Sequence, residues 1–395
     1  MPIGETEWTP WNRRPVGGVG STSRMTRRSF AAAVLLAGAG CARTARKVPA
    51  ADPSDAIRES LCRAAQYLWA RQSSDGGWRS ETYGLLASGQ SLTPFVLDAL
   101  LALPYTGKVG VEKAITFCSR RIDEAGALGR AEPGVPDYPN YATALAVSSL
   151  AHAKPANWPK LAAPLVNYLR GQQLTELHGW TRDHPAYGAW GMGDEPRQAP
   201  YPGHVDLSMT RHVLQALRAA GVSAEDPCFV KAQVFVERSQ NYPYGESIGD
   251  GGFFFSTVVL DANKAGTSPD GFRSYGTATS DGVLSLLACG RKIDDPRITA
   301  AHEWMTKHHC ADGAAGLDAD AQARWREGLR YYYASSASEA FRRLGERPDF
   351  ELTSELVQLQ RVDGSWANPE KLVKEDDPLI ATALAIRALT ATGVA

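Results

Sequence analysis

Two groups of acidic and imidazole side chains have the chemistry needed for proton transfer. In the run EDDP, Asp376 or Asp377 could act as a general acid if burial kept the carboxyl group protonated. An Asp followed by Pro is equally the ordinary N-cap and first position of a helix. His204 and Asp206 come at the predicted start of another helix, where they could face a ligand, although Asp206 could instead be a helix cap.

Aromatic side chains provide a second set of candidates. The chain has ten Trp, fourteen Tyr and eleven Phe, and many stand beside Gly and Pro in predicted loops, a placement that suits the lining of a cavity. Three consecutive Tyr residues begin one predicted helix, so at least one ring should face inward. Such a lining would suit an apolar or sugar-like ligand. The ligand-binding candidates are Trp190, Tyr201, Tyr275, Tyr331 and Tyr332.

Motifs for metals, nucleotides and activated nucleophiles are missing from the sequence. A formal net charge of -1 lacks the basic excess that nucleic-acid binding needs, so we exclude nucleic acid as a partner. A calcium-like loop at residues 261–266 has Ala265 where an oxygen ligand is required. A cluster near one helix end is better explained by the helix dipole than by a metal: His302, His308, His309 and Cys310. We therefore predict no metal and no cofactor.

Helices must position these side chains, because the apolar spacing is helical from about Asp55 onward. Several helices end in a glycine typical of a left-handed C-cap, namely Gly221, Gly290, Gly345 and Gly393. A second helix precedes each of these, so the chain divides into roughly six helix pairs. Two linkers, 179–205 and 245–274, far exceed the usual about 4–6 residues, and we expect them to form a cavity rim. Residues 253–261 are expected to form a short hairpin there.

Turns within this pattern carry a family resemblance. QSSDGGW at 72–78 and QRVDGSW at 360–366 resemble the Q-x-x-D-G-x-W motif of squalene and oxidosqualene cyclases, and DGGF at 250–253 resembles the variant in protein prenyltransferase β-subunits. The similarity covers nearly all of residues 55–395. It implies an all-α fold, an α6/α6 toroid in which the first helix of each pair is outer, the second is inner, and ligands occupy a central cavity.

The motif residues themselves have an architectural explanation. Asp-Gly-Gly makes a tight turn that needs positive φ, while the Gln and Trp join neighbouring pairs. The residues assigned this structural role are Gln72, Asp75, Gly76, Gly77, Trp78, Asp250, Gly251, Gly252, Gln360, Asp363, Gly364 and Trp366.

Both reactions known in the resembled family lack their signature here. The prenyltransferase zinc site would need Cys where Ser208 stands and His where Gly276 stands, although Asp206 matches. The cyclase motif D-x-D-D-T is missing, and its nearest approximations are DADA at 318–321 and EDDP at 375–378.

The amino terminus resembles an export signal. Residues 26–30, TRRSF, precede the apolar run AAAVLLAGAG and Cys41, as in a twin-arginine signal joined to a lipoprotein cleavage box. This implies export to the periplasm or cell envelope, with membrane anchoring if Cys41 is lipidated, although Gly38 replaces the usual Leu. We expect the protein to start at Met25, with residues 1–24 an over-extended start and 42–54 a linker.

Three functions are compatible with these features. The chain could bind an isoprenoid or other apolar ligand in its cavity, with isomerase, lyase or transferase chemistry if it is an enzyme. It could be a non-catalytic envelope scaffold. It could also be a polysaccharide lyase or hydrolase, since α/α toroids serve those reactions and fold similarity does not carry function.

Overall fold

The structure is a computed structural model that describes residues 53–104, 107–130, 132, 137–193, 197–243, 248–347 and 350–394. The predicted signal at 25–41, the lipidation residue Cys41 and most of the predicted linker at 42–54 lie outside these ranges. Within them, no helix combines the length and apolarity needed to cross a membrane.

Helices form almost all of the regular structure. The outer helices are α1 (Pro53–Ala70), α3 (Lys108–Ser119), α5 (Trp158–Gly171), α7 (Pro227–Arg238), α9 (Pro296–His308) and α12 (Phe350–Leu359). The inner helices are α2 (Leu92–Leu101), α4 (Pro139–Ala153), α6 (Leu207–Ala219), α8 (Gly276–Ala288), α11 (Arg330–Arg343) and α13 (Pro378–Thr390). A short helix, α10 (Ala323–Gly328), precedes α11, and two strands, β1 (Thr267–Ser268) and β2 (Gly271–Phe272), form a hairpin.

The six inner helices form a closed ring. Each packs against the next in the order α2, α4, α6, α8, α11 and α13, and α13 packs back against α2. Most positions of the inner helices α4, α8 and α13 are buried, which explains why their sequences show no separate charged face. The predicted all-α toroid of six helix pairs is confirmed.

Helix ends follow the sequence signals. Gly221, Gly290, Gly345 and Gly393 all have positive φ, as left-handed C-caps require. At the other end, α13 begins with the Asp-Pro pair: the Oδ1 atom of Asp377 accepts a hydrogen bond from the backbone N–H of Leu379 at 2.9 Å. Asp377 is therefore a helix N-cap.

The turn after α1 shows how the repeated motif joins neighbouring pairs. The side-chain amide of Gln72 donates to the carbonyl of Gly76 at 3.0 Å and to the carbonyl of Gly110 in the next pair at 2.8 Å. The indole N–H of Trp78 donates to the carbonyl of Leu68 at 2.7 Å. Gly76 has a φ of 92°, and a Cβ atom there would lie 2.3 Å from the Lys113 carbonyl oxygen, so only glycine fits.

The last pair repeats these contacts and closes the ring. Gln360 donates to Gly364 at 2.9 Å and to Ser60 of α1 at 2.8 Å, while the Trp366 indole donates to Leu356 at 2.7 Å. In the fourth pair, Gln240 makes the equivalent bonds, and Phe253 occupies the position of the Trp. We call turns with this Gln bridge wall turns.

A wall turn that the sequence analysis missed lies in the third pair. Gln173 donates to the carbonyls of Gly188 and Cys228, each at 2.8 Å, and the indole of Trp190 donates to Leu169 at 2.7 Å. Gln173 and Gly188 are 15 residues apart in the chain, which hides the motif. Trp190, expected to bind ligand, is instead fully buried in the wall.

The hairpin of the second long linker lies further along the chain than expected. It pairs Thr267 with Phe272 rather than involving residues 253–261. In that segment side chains occupy the backbone groups that a strand would need: the Asn263 side-chain oxygen accepts from the backbone N–H groups of Phe255 and Ser256 at 2.7 and 3.0 Å.

Candidate functional site

A cavity of about 250 Å³ lies at the end of the ring where all six inner helices begin. Each inner helix contributes at least two residues from or beside its N-terminal half. In helix order, from α2 to α13, these residues are Leu92 and Phe95, Tyr138 and Tyr141, Asp206 and Ser208, Tyr275 and Thr277, Leu329 and Tyr332, and Ile380 and Leu384. Since the N-terminal ends of helices carry partial positive charge, this arrangement favours negative groups in the cavity.

Irregular segments supply the rest of the lining. The first long linker contributes Met192 and His204, and the second contributes Phe255, Val259 and Lys264. A third segment, residues 372–375, comes from the loop before α13. The two linkers predicted to form the rim thus both reach the cavity.

His204 and Asp206 form a pair at one side of the cavity. The Nε2 atom of His204 lies 3.1 Å from Oδ2 of Asp206, and both side chains are largely buried. The other carboxylate oxygen of Asp206 accepts from the backbone N–H of Met209 at 2.7 Å and so caps α6. Asp206 is therefore both the helix cap and a cavity residue, so the two explanations of it hold together.

Lys264 places an amine against aromatic rings. Its Nζ atom lies 3.3 Å from the centroid of the Phe255 ring and 5.8 Å from that of Trp325. Among the described residues this amine has no hydrogen bond or ion pair. Burial lowers the pKa of Lys264 to about 7, against the opposing attraction of Asp206 and other nearby carboxylates.

Glu375 binds the start of α11 with both carboxylate oxygens. They accept hydrogen bonds from the backbone N–H groups of Tyr331 and Tyr332 at 2.9 and 2.7 Å, and Asn368 donates a third at 3.1 Å. Burial nevertheless raises the pKa of Glu375 to about 8. Its neighbour Lys374 also lines the cavity, and burial lowers the pKa of that lysine to about 8.

Below the cavity, a buried ion pair connects three inner helices. Arg211 of α6 lies 3.0 Å from Asp281 of α8, and the hydroxyl of Tyr332 on α11 donates to Asp281 at 2.9 Å. The Tyr332 oxygen also accepts from Arg211 at 3.0 Å and lies 2.6 Å from the Ser208 hydroxyl. Burial raises the pKa of Asp281 to about 6, while Arg211 opposes the shift.

The structure brings together four of the predicted site residues: Tyr275, Tyr332, His204 and Asp206 all line the cavity. The aromatic candidate Tyr331 does not, because its buried side chain belongs to the core cluster that includes residues of the first and last pairs. Tyr201 is 76% exposed and also lies outside the cavity lining.

Asp376 and Asp377 likewise lie outside the cavity lining. Asp377 accepts from the hydroxyl of Ser80 in addition to capping α13, and Asp376 accepts from the hydroxyl of Tyr83. Both carboxylates therefore hold the last helix pair to the segment after α1. Their position explains them as parts of the ring closure rather than as a catalytic acid.

Solved structures with the same architecture include a terpene cyclase and a glycosidase. The type II terpene cyclase MstE from Scytonema, in its apo form, is 14% identical in one variant, with a TM-score of 0.55 over 87% of this chain and 99% of that one. A glycosidase variant is 11% identical, with a TM-score of 0.52 over 86% of this chain and 98% of that one. The chain has the α/α-toroid fold that these proteins share. No protein-family model and no curated protein matches it.

The toroid shows no cluster of three or more metal-ligating side chains within the described ranges. The histidines near the end of α9 have other contacts instead. His302 lies 2.9 Å from Glu346, and the ring of His308 stacks on Trp304 with centroids 4.6 Å apart.

Six charged residues in or beside the cavity were missed by sequence reasoning: Arg211, Asp261, Lys264, Asp281, Lys374 and Glu375. A signal existed for Arg211 and Asp281, because a charged residue within a helix that is otherwise buried needs a partner. Lys264 lay inside the rejected calcium-like loop, and Glu375 was passed over in favour of the two acids that follow it. The sequence around Lys264 and around Glu375 is aperiodic and gave no comparable signal.

Proposed function

We propose that this toroid binds an isoprenoid, or another apolar ligand with a polar end, in the cavity at the start of its inner helices. The observation that carries this proposal is the lining itself. Leu, Ile, Val, Met and aromatic side chains make most of it. The titratable lining groups other than tyrosine are few, namely His204, Asp206, Asp261, Lys264, Lys374 and Glu375. Such a combination is typical of small-molecule sites, in which apolar walls give affinity and polar groups fix orientation.

The structural neighbours support the choice of ligand. MstE has been solved with the substrate geranylgeranyl dihydroxybenzoate, and that complex matches this chain with a TM-score of 0.53 at 15% identity. The cavity here, about 250 Å³, is slightly smaller than the roughly 300–1,000 Å³ of drug-sized ligand sites, which favours a short ligand. The short isoprenoid alcohol geraniol is therefore a suitable probe.

The proposed role differs from the reactions of the resembled family. With Ser208 and Gly276 in place of zinc ligands and no D-x-D-D-T motif, neither prenyl transfer to a thiolate nor alkene protonation has its usual residues. An open cavity also favours ligand binding over the purely structural role of an envelope scaffold.

A glycan ligand is the second candidate. A glycosidase variant solved with glucose matches the chain with a TM-score of 0.50, and the carboxylates Asp206, Asp261 and Glu375 line the same cavity. Cleavage of a glycosidic bond would need two of them about 5–10 Å apart across the bond. The apolar character of the remaining lining makes this the weaker candidate.

Native mass spectrometry of the full chain tests the proposal. We expect geraniol to bind, and lipid extraction of the protein purified from a membrane-containing host to yield an apolar ligand. Val259→Trp should abolish binding, because an indole at this loop position would fill the cavity.

The matched control is Leu177→Trp, which adds the same side chain at a position that is 79% exposed. It should bind geraniol as the unmodified chain does. Met192→Trp, from the other linker, is a second blocking variant in case Val259→Trp does not fold. Equal binding by blocking and control variants, or binding of glucose but not geraniol, would overturn the proposal.

We also propose that the toroid acts in the periplasm or cell envelope. The twin-arginine-like residues 26–30 and Cys41, the candidate lipid anchor, support this location. Cell fractionation tests this: a protein that stays entirely cytoplasmic in its native host would contradict it.

A further inference from the structure

We propose that Lys264 forms a Schiff base with the carbonyl group of an apolar aldehyde or ketone bound in the cavity. This inference rests on the proposed function, because it specifies the polar end of the ligand. It adds a covalent step and the residue that performs it.

The position of the amine is the first argument. Nζ of Lys264 lies over the face of Phe255 at 3.3 Å and faces the cavity, and within the described chain it has neither a hydrogen bond nor an ion pair. An ordinary surface lysine of this protein, Lys231, contrasts with it: its amine pairs with Glu176 at 2.7 Å. The Lys264 amine is thus available to a ligand.

The electrostatics of the cavity favour the neutral, nucleophilic form of that amine. Six helix N-termini surround the cavity, and their partial positive charges disfavour the protonated, cationic form of the amine. Burial lowers the pKa of Lys264 to about 7, even though Asp206, Asp261 and Asp281 pull in the opposite direction. Near neutral pH a large fraction of the amine is therefore unprotonated, as a Schiff-base lysine requires.

A neutral carbonyl compound also suits the mixed charges of the cavity. Asp206 and Asp261 line the same space as Lys264, Lys374 and the helix N-termini, and Glu375, with its pKa raised to about 8, is largely protonated near neutral pH. A neutral aldehyde or ketone needs no net charge of either sign in the cavity to hold it.

His204 lies where it can serve the proton transfers of the reaction. Its ring lies beside Phe255, the residue that the Lys264 amine contacts, with ring centroids 6.4 Å apart and the ring planes tilted by 58°, and its Nε2 atom lies 3.1 Å from Asp206. The amine nitrogen attacks the carbonyl carbon to form the C–N bond, the C=O π bond breaks, and one proton passes from the nitrogen to the oxygen to give a hydroxyl group. His204 then protonates this hydroxyl group, which leaves as water, and recovers a proton from the nitrogen as the C=N bond forms.

Reductive trapping tests the inference. The full chain is incubated with the isoprenoid aldehyde geranial and sodium cyanoborohydride, and intact mass and peptide mapping locate the product. We expect one reduced adduct per chain, on Lys264. Lys264→Met should lose this adduct, whereas Lys292→Met, at an exposed lysine in the loop before α9, should keep it. His204→Gln should slow its formation by about 10²-fold.

Geraniol binding separates failure of this inference from failure of the proposed function, since the alcohol cannot form an imine. Circular dichroism checks that Lys264→Met is folded before its labelling is compared with that of the unmodified chain. If geraniol binds but Lys264 stays unlabelled, or if labelling is spread evenly over surface lysines, the Schiff base is wrong and the binding proposal stands. If neither geraniol nor geranial binds, both are wrong.

Discussion

The wall turns and the cavity end of this toroid are built on opposite principles. At the wall turns, one set of contacts recurs around the ring: a Gln side chain bridges two backbone carbonyls at Gln72, Gln173, Gln240 and Gln360. At the cavity end, by contrast, the charged lining residues do not recur from one helix pair to the next. Repetition therefore marks what holds the ring together, and departure from repetition marks what the ring has been adapted to do.

Hydrogen bonding shows the same difference. The indoles of Trp78, Trp190 and Trp366 each donate to a carbonyl at 2.7 Å, so the polar atom of each buried ring is satisfied. The cavity end instead presents the Lys264 amine to open space, without a hydrogen bond from the described residues. Buried ionisable groups with perturbed pKa values, such as Lys264, cluster at functional sites.

The largest effect is expected from breaking a wall turn. Trp366→Ala removes a fully buried side chain and its hydrogen bond to Leu356 at the junction that closes the ring. We expect the free energy of unfolding to fall by about 3–5 kcal/mol, because a cavity replaces the indole. Urea unfolding followed by circular dichroism measures this.

Trp325→Ala is the matched control, since this Trp lies at the cavity and is only partly buried. Its loss should destabilise the protein less and weaken geraniol binding more. If the two variants lost equal stability, the distinction between wall and cavity would not hold for tryptophan.

Most of the wall could be predicted from the sequence because its signals are local. A glycine after the last helical turn at Gly221 or Gly393 forces one backbone conformation, and a Gln four residues before a motif glycine, as at Gln72 and Gln360, makes the same bridge each time. Prediction failed where the spacing changed. Between Gln173 and Gly188 the chain inserts a loop, so Trp190 looked like a rim aromatic although it occupies a wall position.

The cavity could be predicted only in part, because its residues meet through the closed ring rather than along the chain. Tyr275 and Asp206 were recognisable since they stand at the start of inner helices. Lys264 and Glu375 lie in aperiodic segments, and their direction depends on how those segments fold over the barrel. Hydrophobic periodicity carries no information about such segments.

A second effect should appear in the pH dependence of stability. Burial raises the pKa of Glu375 from 4.5 to about 8, so between these values the folded chain holds a proton that the unfolded chain has lost. Stability should therefore fall as pH rises from about 4.5 to about 8, by at most about 1.4 kcal/mol per pH unit from this group. Glu375→Gln cannot titrate and should lack that part of the decline.

Urea unfolding at several pH values in this window compares the two chains. The slope is the decisive quantity, because Glu375→Gln also disturbs the hydrogen bonds to Tyr331 and Tyr332 and so lowers stability at every pH. Curves that run parallel would mean that the three N–H donors keep Glu375 ionised in spite of its burial.

The smallest effect should come from Tyr201, which shares the first long linker with Trp190 but belongs to neither region. Its side chain is 76% exposed and lies outside the cavity lining, so Tyr201→Ala should change the free energy of unfolding by no more than about 0.5 kcal/mol and leave geraniol binding unchanged. Trp190→Phe, in contrast, should destabilise the protein measurably, because the indole hydrogen bond to Leu169 is lost. The loss should be smaller than in Trp366→Ala. Phe253 shows that a phenyl ring can fill the equivalent position of a wall turn. Urea unfolding and native mass spectrometry of both variants provide the comparison. A loss of geraniol binding in Tyr201→Ala would show that this linker closes over the cavity when ligand is bound, and the boundary between wall and site would then have to include it.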